Sequence, residues 1–191
     1  MTYTIGPVVP GPGDYSPLSI AEKTPVNAVA ASKALTTDNT ELTDGDTVTI
    51  GTTVYRFKDT MAAAYDVKRH GTTADTTMEN LIKAINATGT AGVEYFAGTL
   101  IHPTVSAGTL AAHAFTATAK TKGVAGNSIA IAEASTHLSW AAGAVFLSGG
   151  IDGTVGVANE TCADASYLYH CLATNTIADA NWRRFTVGSV Y

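Results

Sequence analysis

The chain has 191 residues, of which 46% are hydrophobic and only 14% charged, with a formal net charge of −5. An acidic chain with scattered Lys and Arg speaks against a basic nucleic-acid-binding face. No apolar run reaches the length that spans a membrane. Met1 to Val9 lack a basic stretch followed by an apolar one, so no secretory signal is expected and the chain is expected to stay in a cytosol. Globular chains carry about 25% charged residues, so this surface must rely on Thr, Ser, Asn and Gly. Much of the apolar fraction is Ala, which buries little area. A thin core under a weakly charged surface fits a protein partly covered by other subunits.

The first segment, residues 1–33, is expected to be an extended arm. It holds Pro7, Pro10, Pro12, Pro17 and Pro25, five of the six prolines. Proline fixes φ and removes a donor, so the stretch is neither helix nor central strand. A solvated tail is the plain alternative. Ile5, Val8, Val9, Tyr15, Leu18 and Ile20, however, are side chains suited to lying on a surface. They are the candidate interface of the arm, whose prolines lower the entropy lost on docking.

Residues 34–152 read as an α+β core domain, mainly β, in which an antiparallel sheet packs with one amphipathic helix. Thr47–Ile50 and Val54–Phe57 alternate polar with apolar residues and flank Gly51, as a hairpin does. Asp44-Gly45-Asp46 ahead of them is turn chemistry, not a calcium loop, because no distal Glu or further oxygen ligands follow. Met78, Leu81, Ile82 and Ile85 form the apolar stripe of the helix. Thr76 and Glu79 have capping-box spacing, and Gly89 stands where a C-terminal cap would end the run. Two further alternating runs, Phe115–Ala119 and Ser128–Ala132, are joined by the turn Gly123–Asn127. That turn lacks the Gly-Lys-Ser/Thr ending of a phosphate loop. Val145–Leu147 then runs into Gly149-Gly150, a natural boundary.

Residues 153–191 read as a small C-terminal β unit, with one strand at Tyr167–Leu172 and another at Trp182–Val187. Tyr167, Tyr169, Trp182 and Arg184 are its candidate interface residues. Trp182 and Phe185 fall on opposite faces of a regular strand, so one suits a core and the other an interface. Cys162 and Cys171 are read as buried thiols, with a local disulfide as the alternative.

The chemistry of catalysis is missing. His70, His102, His113, His137 and His170 are scattered, without a His-x-x-x-His pair or a Cys-x-x-Cys. No nucleophile elbow or dinucleotide fingerprint occurs. No catalytic residue, cofactor or metal site is expected.

Several pieces, in order, resemble a module of tailed-bacteriophage virion structural proteins. They are Asp44–Gly51 with Val54–Phe57, then Asn80–Asn86, then Gly123–Asn127, then Leu147–Asp152. Together they cover roughly residues 36 to 152. Tyr167–Cys171 with Trp182–Arg184 is similar to an ending of such proteins, although Ile177 to Asn181 lengthen the intervening turn. The resemblance implies a non-enzymatic virion component, assembled in the host cytoplasm and acting as a homo-oligomer. A trimeric capsid decoration (cement) protein bound to the major capsid protein is the leading expectation. A tail or tail-fibre component is the alternative, with a host-glycan patch drawn from Tyr3, Tyr15, Trp140, Tyr167 and Trp182. No family site residue carries over.

Overall fold

The computed structural model describes residues 3–4, 19–174 and 182–186. Its strands begin with β1 (Tyr3–Thr4), β2 (Ser19–Glu22), β3 (Ser32–Thr37), β4 (Thr47–Ile50), β5 (Thr53–Lys58) and β6 (Asp66–Lys68). The helix α1 (Ala74–Asn86) follows. Then come β7 (Val105–Ala107), β8 (Ala114–Ala119), β9 (Ile131–Ala134) and β10 (Leu138–Trp140). The last strands are β11 (Thr161–Ala163), β12 (Tyr167–Cys171) and β13 (Trp182–Thr186). The fold is α+β, mainly β, with one α-helix among the described residues and largely antiparallel pairing. The exceptions are the parallel pairs β5–β6 and β2–β11.

The chain divides into two compact units, Val29–Ile151 and a second one drawn from Met1–Ala28 and Asp152–Tyr191. The first contains two four-stranded sheets, ordered β10-β3-β8-β7 and β6-β5-β4-β9, together with α1. Alternation decides what each strand buries. Val48 and Ile50 of β4, Tyr55 and Phe57 of β5, and Phe115, Ala117 and Ala119 of β8 point inward. They join Trp140, Leu35, Leu42 and Leu147 in one continuous core. Met78, Leu81 and Ile85 of the helix stripe are buried in it, and Ile82 packs at its margin.

Both expected helix caps are displaced. The N-cap is Thr73, one turn before Thr76, because Ala74 and Thr77 are buried too and extend the stripe backward. Asp75 in the first turn suits the positive end of the helix dipole. At the other end the cap is Ala87, not Gly89; Ala87 takes the left-handed conformation, and its N–H returns to Lys83 O. Asn86 closes this end by a reciprocal pair with Ala107, accepting from its N–H at 3.0 Å and donating to its carbonyl at 2.8 Å. These two bonds satisfy the backbone N–H and C=O of Ala107 at the end of β7.

The expected hairpin forms between β4 and β5, with Ile50 opposite Thr53 across the two-residue loop Gly51-Thr52. The Asp44-Gly45-Asp46 carboxylates hold the turn before it. Asp44 accepts from Lys58 Nζ at 2.6 Å and from Asp59 N–H at 2.7 Å. Asp46 accepts from Thr43 N–H at 2.9 Å and from Ser135 Oγ at 2.7 Å. The expected strand Ser128–Ala132 starts later. Val124–Ser128 forms a 3₁₀ turn, and regular pairing begins at Ile131. The cause is a lock between two glycine-containing loops. Gly150 N–H donates to Asn127 Oδ1 at 2.8 Å, and Asn127 Nδ2 donates back to Gly150 O at 3.0 Å. A Cβ on Gly150 would stand 2.4 Å from Gly123 O, and one on Gly126 would stand 2.8 Å from the Ala31 Cβ.

The second unit is a five-stranded sheet ordered β1-β2-β11-β12-β13. Ser19–Glu22, read from sequence as part of an arm, lies between β1 and β11 in this sheet. Residues 5–18 connect β1 to β2, and Ile5, Val8, Val9, Tyr15 and Leu18 lie outside the described residues.

Candidate functional site

The C-terminal candidates gather on one face of the second unit's sheet. Cross-strand register puts Tyr169 opposite Arg184, Cys171 opposite Trp182 and Cys162 opposite Tyr169. With Tyr167, two positions along β12, these side chains share a face, as the period of two requires. Arg184 lies over the Tyr167 ring at 4.6 Å, and Lys23 Nζ lies 4.9 Å from the Trp182 ring. The Trp182 indole donates to Thr154 O at 2.9 Å and covers Gly156, where a Cβ would stand 2.4 Å from the ring. Trp182 is thus half-buried and tied down. Phe185 faces the other way and is 55% exposed.

The turn from β11 to β12 is organised by Asp164. Its carboxylate accepts from the N–H groups of Ser166 and Tyr167, both at 2.8 Å, and from Tyr169 Oη at 2.6 Å. The Tyr169 bond and these backbone bonds hold the Asp164 carboxyl down at about 2. The same carboxylate pushes the Tyr169 hydroxyl up to about 12. Tyr169 is buried, so its place is the interior of this unit. Cys162 and Cys171 are buried thiols. Their positions are diagonal across β11 and β12, since Cys162 pairs with Tyr169. Diagonal neighbours lie about 7–8 Å apart, beyond the Cα separation that suits a disulfide.

In the first unit the histidines serve structure. His102 is 1% exposed, with Nδ1 accepting from Val105 N–H at 3.0 Å. Its Nε2 lies 3.1 Å from Ile50 O, so the neutral Nε2–H tautomer satisfies both contacts. Burial lowers its pKa below the usual 6.5. His113 pairs with Asp75 and His137 with Asp38, each at 2.9 Å. The buried Asp66 is used the same way. Burial acts to raise its carboxyl, but bonds from Ala62 N–H, Ala63 N–H and Arg56 outweigh it and leave the group below its ordinary value. Trp140, one of the glycan-patch candidates, is fully buried.

One groove of about 400 Å³ opens at the end of the β4–β5 hairpin. Gly51–Thr53, His102–Thr104 and Ser128–Ala130 line it, and none of these carries a charged side chain with His102 neutral. Ala130 pairs with Phe146, which is 49% exposed. Sequence reasoning missed this place because it assembles three turns from separate segments, each unremarkable alone. Only the apolar runs Leu100-Ile101 and Val145-Phe146, next in sequence or pairing to its lining, could have pointed to it. Searches against protein-family models, curated proteins and solved structures return no match for this chain.

Proposed function

We propose that this chain is a non-enzymatic structural subunit of a tailed-phage virion, and most concretely a capsid decoration protein. The observation that carries this reading is how the two classes of side chain are used. Carboxylates and histidines that chemistry would need are committed to turns, caps and strand ends, as at Asp44, Asp66, Asp164 and His102. Large apolar residues, by contrast, stand on the surface, among them Leu100, Ile101, Val145, Phe146 and Phe185. Exposed apolar groups on a sparsely charged chain mark contact with other proteins. The order of glycine and turn motifs adds the virion context, and the Asn127–Gly150 lock supplies a packing reason for two of those motifs.

The Pro-rich segment 5–18 is the proposed contact with the major capsid protein, bracketed by β1 and β2. Quantitative mass spectrometry of gradient-purified particles, with antibody labelling in the electron microscope, tests the reading. A copy number fixed relative to the major capsid protein, with label over the head, is expected. Label confined to the tail moves the assignment to a tail component, and absence from particles overturns it.

A further inference from the structure

We infer that the His102 imidazole is a pH-sensitive clip that ties the end of β4 to the start of β7 while neutral, and that its protonation releases this corner and opens the groove beside it. The device goes beyond the structural-subunit reading and holds wherever the chain sits in a particle.

The ring joins the two sheets of the first unit, since β4 lies in one and β7 in the other. Its Nε2–H donates to the carbonyl of Ile50, the last residue of β4, at 3.1 Å. Its Nδ1 accepts from the N–H of Val105, the first residue of β7, at 3.0 Å, and from Thr104 N–H at 3.3 Å. A carbonyl oxygen only accepts and a backbone N–H only donates, so these partners demand one neutral tautomer. A second proton must go to Nδ1, where it would oppose the Val105 N–H, donor against donor. The clip therefore does not survive protonation in place.

Charge acts in the same direction. His102 is 1% exposed, and a cation held there would have neither water nor a carboxylate around it. The charged group that acts on it is Lys120, whose Nζ donates to His102 O at 2.5 Å and would repel an imidazolium. β4, β7, β8 and Ser128–Ala130 carry no ionisable side chain. β5 presents Tyr55, whose ring lies 6.4 Å from the imidazole and whose hydroxyl burial keeps neutral. Arg56 and Lys58 of the same strand pair with Asp66 and Asp44. α1 supports the corner through Ile85 O, which accepts the His102 N–H at 2.9 Å. Its Asp75 pairs with His113 and its Lys83 with Glu94, while Glu79 is exposed. None of these elements offers the ring a carboxylate. The ring does have a way out, because it forms part of the wall of the groove of about 400 Å³.

Burial first, and Lys120 second, hold the ring below its usual 6.5 in the closed form, whereas a released ring titrates near that value. The closed clip is thus fully favoured above pH 6.5. As pH falls further, the open form gains about tenfold per pH unit until the folded value is reached.

The test is an NMR titration of the full chain from neutral to mildly acidic pH. The His102 ring and the Thr104 and Val105 amides are expected to change with one midpoint below 6.5, the two amides losing their protection from exchange. Leu35 and Phe115, opposite one another in the β3–β8 ladder, are expected to keep their native shifts through that midpoint. Lys120→Met removes the repelling cation and is expected to move the midpoint to higher pH. His102→Gln takes no proton and is expected to abolish the transition; if that variant does not fold, the wild type and Lys120→Met carry the test. A ring that titrates while Thr104 and Val105 stay protected overturns the inference. So does a chain whose signals all change together, because the corner then opens only by global unfolding. A midpoint indifferent to Lys120→Met, or a transition that persists in folded His102→Gln, overturns it as well.

Discussion

The two compact units reach stability by different means. Val29–Ile151 buries its large side chains together: Trp140, Tyr55, Phe57 and Phe115 are all 2% exposed or less. Among the described residues of the sheet unit the buried hydrophobic ones are Ala28, Cys162, Ala163, Tyr169 and Cys171, with Tyr169 the one large aromatic among them. That unit leans on polar ties instead, namely the Asp164 turn, the Lys23–Glu160 ion pair at 3.0 Å and the Trp182 indole bond to Thr154. Hydrophobic burial grows with area, whereas exposed ion pairs contribute little. The difference teaches that one unit is built on a continuous core, whereas the described residues of the other are joined by few, separable contacts.

The largest effect that tests this contrast comes from paired phenylalanines. Phe115→Ala, in the first core, is expected to cost about 3–5 kcal/mol in chemical denaturation. Phe185→Ala, on the exposed face of β13, is expected to stay within about 0.5 kcal/mol of wild type. Equal costs would mean that the second unit hides a core of its own.

A smaller effect is expected at the glycine lock. Gly126→Ala adds a methyl group 2.8 Å from Ala31 and 2.9 Å from Ala119, and overpacking of that kind costs about 1–3 kcal/mol. Gly45→Ala makes the comparison fair. Gly45 has φ +99 with nothing within 4 Å, so its cost is backbone strain alone. A Gly126→Ala protein as stable as wild type would dissolve the account of that motif.

The smallest effect is a difference in pH response, and the two tryptophans report it separately. Trp140 lies in the first unit and Trp182 in the second, so Trp182→Phe and Trp140→Phe each leave one reporter. His102 has a folded pKa below 6.5, so the unfolded chain takes up its proton first and stability falls as pH drops below 6.5. Asp164 is held at about 2 against an ordinary 3.8, so its contribution is complete above about 4 and is lost as pH falls toward 2. Below pH 6.5 and above about 4 the Trp140 midpoint is expected to decline while the Trp182 midpoint holds. Parallel curves would contradict the assignment of His102.

Much of the first unit was legible because strands announce themselves by alternation. Val48 and Ile50, Tyr55 and Phe57, and Phe115 and Ala117 all face inward as their period requires. The helix stripe was equally plain, but its ends were not. Thr73 rather than Thr76 begins it because tertiary burial of Ala74 and Thr77 outweighs the capping-box pattern. The place of Ser19–Glu22 in a sheet with Thr161–Ala163 was invisible, since that pairing spans almost the whole chain and local pattern carries no record of it. The groove escaped for the same reason. His102 looked like one of five scattered histidines, and only the fold brings it beside Gly51 and Ala130.

The most direct test of the central proposal mixes the purified chain with capsids that lack it and measures co-sedimentation. Replacing residues 5–18 with a short neutral linker keeps β1 and β2, which removal of residues 1–25 would destroy. Saturable binding by the wild type, a more heat-resistant capsid and loss of both in the linker variant are predicted. Absence of binding by the wild type, at concentrations where it is folded, would contradict the decoration reading.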